Sequence, residues 1–264
     1  MIKLIVTDLD GTLLNDNHEV PDRFWQIADR LFNQGVKIGI ATGRPHFSIA
    51  AKFEAIIHQL YAISDNGSRI VHDNQELLSK SLPQHEVEAL ILAARQMSNA
   101  WPILCGKEQW YLENTHDTLM NAIGAYHSNF TFVDDLTKVQ EAVLKMTVFD
   151  HAGSEANSYP HYQSFENRLK IAVGGHKWLD ITRTDVNKGE AVQLLQTMHG
   201  ISPDETLVFG DFMNDYEMMQ TATYSYAMKN ATPKLKEVAN FVTEKGNNEA
   251  GVLDVIESLC FNNY

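Results

Sequence analysis

Two pairs of carboxylates stand at the ends of apolar runs in this chain. Leu4-Ile5-Val6-Thr7 leads into Asp8-Leu9-Asp10-Gly11, and Thr206-Leu207-Val208-Phe209-Gly210 leads into Asp211-Phe212-Met213-Asn214-Asp215. An apolar run with β-branched members reads as a buried strand, so each pair sits where a strand stops. Asp8 and Asp10 share one face of the strand while Leu9 points away. Carboxylates so placed repel unless a proton or a cation lies between them. A hard divalent ion held by oxygen, most simply Mg²⁺, satisfies them at least cost. A single such pair is also common as a solvated acidic turn, and the pattern alone does not choose.

Three further places invite a chemical reading. Thr42-Gly43-Arg44-Pro45 follows the apolar run Val36–Ala41, and Pro45 suits the first turn of a helix. Thr42 and the amides after it therefore fall at a strand end and a helix N-terminus, a ready anion site, though Thr at such a place also serves as a cap. Lys188 falls in the first turn of a helix opened by Asn187, where a cation opposes the macrodipole. A residue placed against local preference points to function, while the usual fate of lysine is a solvated surface. Asn66, in Asp65-Asn66-Gly67-Ser68, reads as a hairpin turn.

The elements that must hold these residues form a regular rhythm at both ends of the chain. A strand through Val6, an amphipathic helix carried by Phe24, Trp25, Ile27, Ala28, Leu31 and Phe32, and a strand over 36–41 make a βαβ unit. A helix over 47–60, a strand over 61–64 and a returning strand over 69–72 are expected next. After residue 185 the rhythm resumes: a helix with Ala191, Leu194, Leu195 and Met198 inward, the strand 206–210, a strand over 224–228 and a helix over 233–239. The fold class expected is α/β, a doubly wound, Rossmann-like parallel sheet, and in such a sheet ligands bind beyond the carboxyl ends of the strands.

Between these parts the pattern changes. Helices are expected over 86–97, 117–126 and 157–165, with strands over 101–105, 109–112, 145–149, 169–173 and 176–181, the last two joined at Gly174-Gly175. This reads as an α+β domain with an antiparallel sheet, residues 84–184, inserted into a core of residues 1–83 and 185–264.

Composition narrows the partners. A formal net charge of −13 argues against nucleic acid and anionic membrane, both held mainly by basic patches. Cys105 and Cys260 form neither a disulfide framework nor a zinc spacing, and no apolar run reaches membrane-spanning length. A reducing cytoplasm is the expected location. An anionic ligand needs a locally positive site. Monomer and homodimer both stay open.

Asp-Leu-Asp-Gly-Thr-Leu-Leu at 8–14, Ala-Thr-Gly-Arg at 41–44, Lys188, and Gly-Asp-Phe-Met-Asn-Asp-Tyr-Glu-Met at 210–218 resemble, in order, the four signatures of the haloacid dehalogenase-like phosphohydrolases. The last matches the Cof-type pattern at every specified position, and the insertion lies where Cof-type members carry a large cap. The resemblance implies a Mg²⁺-dependent phosphatase of small phosphorylated metabolites, sugar phosphates foremost. It implies Asp8 as the nucleophile that becomes an aspartyl phosphate, and Asp10 as acid and base. Asp8, the backbone carbonyl of Asp10, and Asp211 would hold Mg²⁺, with Asp215 in support through water. Thr42, Gly43, Arg44, Asn66, Lys188 and Asn214 would bind or orient the phosphoryl group. A phosphomutase shares the nucleophile, and a signalling phosphoacceptor shares the Asp, Thr and Lys set in a much shorter chain. Met228-Lys229-Asn230-Ala231 and Asn247–Val252 are similar to family tail motifs, except that Ala250 stands where Asp is usual. Trp178 and His176, near Gly174-Gly175, are candidate specificity residues of the cap, and core packing or surface exposure is the more usual role for either.

Overall fold

The computed structural model describes residues 1–124 and 129–261, and the strands and helices are those of these residues. The strands are β1 (Leu4–Thr7), β2 (Lys37–Ala41), β3 (Leu60–Ser64), β4 (Arg69–His72), β5 (Gln75–Ser79), β6 (Ala100–Cys105), β7 (Trp110–Leu112), β8 (Phe130–Phe132), β9 (Lys145–Asp150), β10 (Leu169–Gly175), β11 (Trp178–Arg183), β12 (Thr206–Gly210), β13 (Tyr224–Ala227) and β14 (Phe241–Val242). The helices are α1 (Arg23–Asn33), α2 (His46–Lys52), α3 (Gln84–Ala94), α4 (Asp117–Gly124), α5 (Ser158–Tyr162), α6 (Lys188–His199), α7 (Tyr216–Met219), α8 (Pro233–Val238) and α9 (Gly251–Cys260).

The chain divides into two compact units. One comprises Met1–Arg44, Ile49–Leu77 and Asn187–Tyr264; the other comprises Pro45–Ser48 and Leu78–Val186. The first is built on a sheet ordered β14-β13-β12-β1-β2-β3-β4-β5. From β14 to β3 every pairing is parallel, and β4 returns antiparallel to β3. Strands β1, β2, β3 and β12 are buried along almost their whole length, as parallel strands covered on both faces must be. β1 lies between β2 and β12, the point at which the strand order reverses, and all three end on the same edge. That edge is where an open α/β sheet places its ligands.

The second unit is built on a six-stranded sheet ordered β10-β11-β9-β6-β7-β8. One core gathers Val87, Leu90 and Ile91 of α3 with Met146, Val148, Leu179 and Ile181; another sets Leu119 and Ile123 of α4 against Ile103, Cys105 and Leu112. Its pairings are antiparallel except that β8 runs parallel to β7, a strand the sequence pattern did not reveal.

Several local expectations differ from the structure. The helix expected over 47–60 stops at Lys52 and resumes only as a 3₁₀ turn at Ile57–Gln59. Fully buried Phe53 sits against the rings of Phe24 and Trp25, and this tertiary contact overrides helix propensity. The turn expected at Gly174-Gly175 lies at His176-Lys177, because β10 continues through Gly175 and pairs it with Trp178 after a register shift. Met198 is exposed, while Val192 and Gln196 take the inward face of α6. Residues 125 and 126, the end of the helix expected over 117–126, lie outside the described residues.

Candidate active site

Each acidic strand end is fixed by its own backbone. β1 continues its ladder one residue further, with the amide of Asp8 donating to the carbonyl of Phe209 at 3.0 Å, so Asp8 lies beside the end of β12. The chain then folds back sharply: Leu14 donates to Leu9 at 2.9 Å, and Asp10 and Leu14 form an isolated bridge. Gly11 makes the turn with φ of +75°, and a Cβ there would lie 2.4 Å from Asp211 Oδ2. Only glycine lets the two strand ends approach this closely.

Three carboxylates and one ammonium meet at this point. Asp8, Asp211 and Asp215 each offer an oxygen, all within 4.8 Å of one another. Lys188, fully buried, donates to Asp8 Oδ1 and Asp215 Oδ1, both at 2.6 Å. Asn187 caps α6 by accepting from the amide of Glu190 at 2.8 Å, which sets Lys188 in the first turn facing the sheet edge. Gly67, with φ of +98°, packs where a Cβ would lie 2.4 Å from the Asn187 carbonyl, so the turn after β3 seats the start of α6.

Charge in this cluster is underbalanced. Burial drives the Asp8 carboxyl well above its ordinary value; Lys188 opposes this, and Asp215 and Asp211 add to it. Burial likewise pushes Asp211 up to about 7, helped by Asp215 and opposed by Lys188 and the Thr12 hydroxyl. Lys188 is held protonated against burial by Asp215 and Asp8. Three oxygen-donor carboxylates sharing one lysine leave a deficit of positive charge that a hard divalent cation would fill, and the donor set suits such an ion. Asp215 also accepts from the amides of Asp211 and Phe212, at 2.9 and 3.3 Å, which fixes its orientation.

Asp10 stands apart from this cluster. Its carboxylate accepts from Arg44 Nε at 2.7 Å and Nη2 at 2.5 Å, and lies 3.1 Å from His18 Nδ1. Burial raises its pKa, but Arg44 and His18 more than offset this and hold it below the usual carboxylate range. Thr42 is buried at the end of β2, its hydroxyl accepting from the Arg44 amide at 3.2 Å. The Asn66 amide donates to the Thr42 carbonyl at 2.9 Å, and Asn214 Nδ2 donates to Asn66 Oδ1 at 3.1 Å. Gly43 lies against Asn66, a Cβ at that position falling 3.2 Å from Asn66 Oδ1. Asn66 is therefore more than a turn residue: with φ of 58° it holds the loop after β2 to the loop after β12. Thr12 and His18 escaped sequence reasoning. Thr12 was hidden inside the first signature, and His18 has no local pattern because its partners are Asp10 and, through its carbonyl, Lys52 Nζ at 2.6 Å. Trp178 and His176 belong to the second unit, where the Trp178 ring lies against Phe149 with the planes inclined by 54°.

Comparison with known proteins gives a consistent result. A family model described as haloacid dehalogenase-like hydrolase matches residues 5–256. The chain is 26% identical over 262 residues to 5-amino-6-(5-phospho-D-ribitylamino)uracil phosphatase YbjI of Escherichia coli (strain K12), covering 98% of this chain and 96% of that protein. It is 26% identical over 239 residues to HMP-PP phosphatase of Escherichia coli O6:H1, covering 89% and 87%. The solved structure of SMU.1108c from Streptococcus mutans UA159 superposes with a TM-score of 0.89 at 28% identity, covering 98% of both chains.

Proposed function

We propose, since the chain belongs to the haloacid dehalogenase-like hydrolase family, that it is a Mg²⁺-dependent phosphatase of small phosphorylated metabolites, with sugar phosphates the leading class, working through an aspartyl phosphate on Asp8. The observation that carries this reading is the convergence of buried Asp8, Asp215 and Lys188 with half-buried Asp211 at the β1 and β12 strand ends. The names of the two relatives, one acting on a ribitylamino phosphate and one on HMP-PP, support a small phosphorylated substrate. Asp8, Asp211 and the carbonyl of Asp10 would hold the cation, with Asp215 behind them. When bound, the ion would neutralise phosphoryl oxygens and the crowded carboxylates.

The chain's own groups divide the remaining work. Lys188 grips Asp8 Oδ1, so attack on phosphorus falls to Oδ2, which forms a bond to phosphorus as the ester P–O bond breaks. The leaving oxygen takes its proton from Asp10. A water deprotonated by Asp10 then attacks phosphorus, the Asp8 P–O bond breaks, and phosphate leaves with Asp8 restored. Asp10 clamped by Arg44 is in its ionised form, suited to the second half-reaction. Arg44 moving from Asp10 onto the phosphoryl oxygens would raise the affinity of Asp10 for a proton when the first half-reaction needs one. Thr42, the Gly43 amide, Asn66 and Asn214 line the same strand edge and would hold the phosphoryl oxygens.

A phosphomutase would run the same first half-reaction. The test is phosphate release from a panel of monoesters with and without Mg²⁺. Release that needs Mg²⁺ and no bisphosphate activator supports the hydrolase. Transfer that depends on a bisphosphate supports the mutase, and no turnover of any ester sinks both.

A further inference from the structure

The two asparagine-bearing turns near the C-terminus make a built contact with the nucleophile loop. Asn230 Nδ2 donates to the Gly11 carbonyl at 2.7 Å. Asn230 Oδ1 in turn accepts from the Asn247 amide at 3.1 Å. Asn247, itself buried, spends both side-chain N–H groups on the same loop: on the Leu14 carbonyl at 3.1 Å and on Asp16 Oδ1 at 2.9 Å. Asn248 closes the outer end, exchanging hydrogen bonds with Asp16 at 2.8 and 2.9 Å. The segment held this way, residues 11–16, contains one partner of the Asp10–Leu14 bridge and begins at the glycine that lies against Asp211.

We infer that Asn230 and Asn247 are positioning residues for the reaction: through the carbonyls of Gly11 and Leu14 they set the loop that aims Asp10 and seats Thr12 on Asp211. This inference rests on the phosphatase reading above. An amide side chain is suited to the task because it donates and accepts without charge. A lysine could reach the same carbonyls, but its cation would compete with a metal for the nearby carboxylates. An aspartate could not donate at all. Gly11 has no side chain to pack and sits at a positive φ, so its peptide orientation depends on what its carbonyl bonds to. Loss of the Asn230 bond frees that peptide to rotate, which moves the Thr12 hydroxyl off Asp211, to which it donates at 3.3 Å, and slackens the bridge that fixes Asp10. Among the described residues the side-chain hydrogen bonds of both asparagines run to Gly11, Leu14, Asp16 and each other's turn, not to Thr42, Asn66 or Lys188, so substrate affinity should be spared while the chemical step is lost.

The experiment is steady-state hydrolysis of p-nitrophenyl phosphate at saturating Mg²⁺ by full-length Asn230→Ala, Asn247→Ala and Asn248→Ala, with melting temperatures measured in parallel. The first two should lose kcat by roughly ten- to a hundredfold with KM within about twofold, the scale expected when a catalytic group is displaced by about an ångström. Asn248→Ala removes contacts only at Asp16 and should keep kcat within about twofold even where it melts earlier. Orthovanadate supplies a second readout: its stabilisation of the wild type should shrink in Asn230→Ala and Asn247→Ala, while that by orthophosphate persists. Equal kcat in all three variants and the wild type, or a loss in all three that follows melting temperature alone, overturns the inference. Asp8→Asn run beside them separates the two readings. An inactive Asp8→Asn with unaffected Asn230→Ala leaves the phosphatase reading and removes the positioning role; an active Asp8→Asn removes the reading itself.

Discussion

Lys188 is the residue on which the charge arrangement turns. It has no exposed surface, and its two bonds bring Asp8 and Asp215 to one nitrogen. Removing one partner of a buried ion group leaves the others uncompensated, so Lys188→Ala should cost about 3–5 kcal/mol of stability without metal. Mg²⁺ should recover part of that loss, a pattern that urea titrations with EDTA or Mg²⁺ would reveal. Asp211→Ala should weaken Mg²⁺ binding more than Lys188→Ala does, as calorimetry would measure. The direction of the pH effect follows from Asp211, whose folded value of about 7 lies above the ordinary 3.8. Its contribution is fully favourable below pH 4 and is lost as pH rises through 7, since the folded state holds the extra proton across that window. The metal-free protein should therefore lose melting temperature from pH 5 to pH 8, and Asp211→Asn should flatten the slope. Mg²⁺ binding near pH 6 should release protons, seen as an enthalpy that varies with the buffer. Sequence alone made the acids, Thr42 and Lys188 visible because each stands at a strand or helix end. It could not show that Arg44 clamps Asp10, or that His18 joins them, because nothing in local spacing links residues 10, 18 and 44.

At the scale of elements, the strands that carry the site were legible because parallel strands buried on both faces read as continuous apolar runs. β5 and β8 were not: β5 has exposed Gln75 and Glu76 at its start, and β8 is three residues long. The break after Lys52 depends on where Phe53 packs, which no periodicity records. Ala250 marks an element held against its preference. It adopts φ of 57° at the start of α9, a left-handed conformation that costs an L-residue about 1–2 kcal/mol. Ala250→Gly should therefore raise the melting temperature by roughly 2–4 °C for each kcal/mol relieved. An unchanged or lower value would mean that the turn is not strained. The same conformation is tolerated by Asp and Asn, whose short polar side chains bond locally.

For the molecule as a whole, the α/β sheet and the second, α+β sheet are both present, each with its own buried core. Among the described residues no helix is long and apolar enough to cross a membrane. Two compact units with separate cores should give a calorimetric transition broader than a single two-state event. Mg²⁺ with orthovanadate should raise only the component belonging to the unit that carries Asp8, because a ligand stabilises what it binds. A single sharp transition shifted as one would show the units to be energetically coupled. Which phosphate ester is preferred is proposed to depend on the second unit, and Trp178→Ala should then change the ranking of substrates in the ester panel while leaving the Mg²⁺ requirement intact.

In the proposed mechanism the phosphoryl group passes through Asp8. Rapid acid quenching of the full-length enzyme with a ³²P-labelled monoester and Mg²⁺, followed by peptide mapping, tests it directly. The label should appear in the peptide containing Asp8, disappear as phosphate is released, and be absent in Asp8→Asn, whose turnover should fall by several orders of magnitude. Full turnover in Asp8→Asn, or label on a different residue, would rule out Asp8 as the nucleophile.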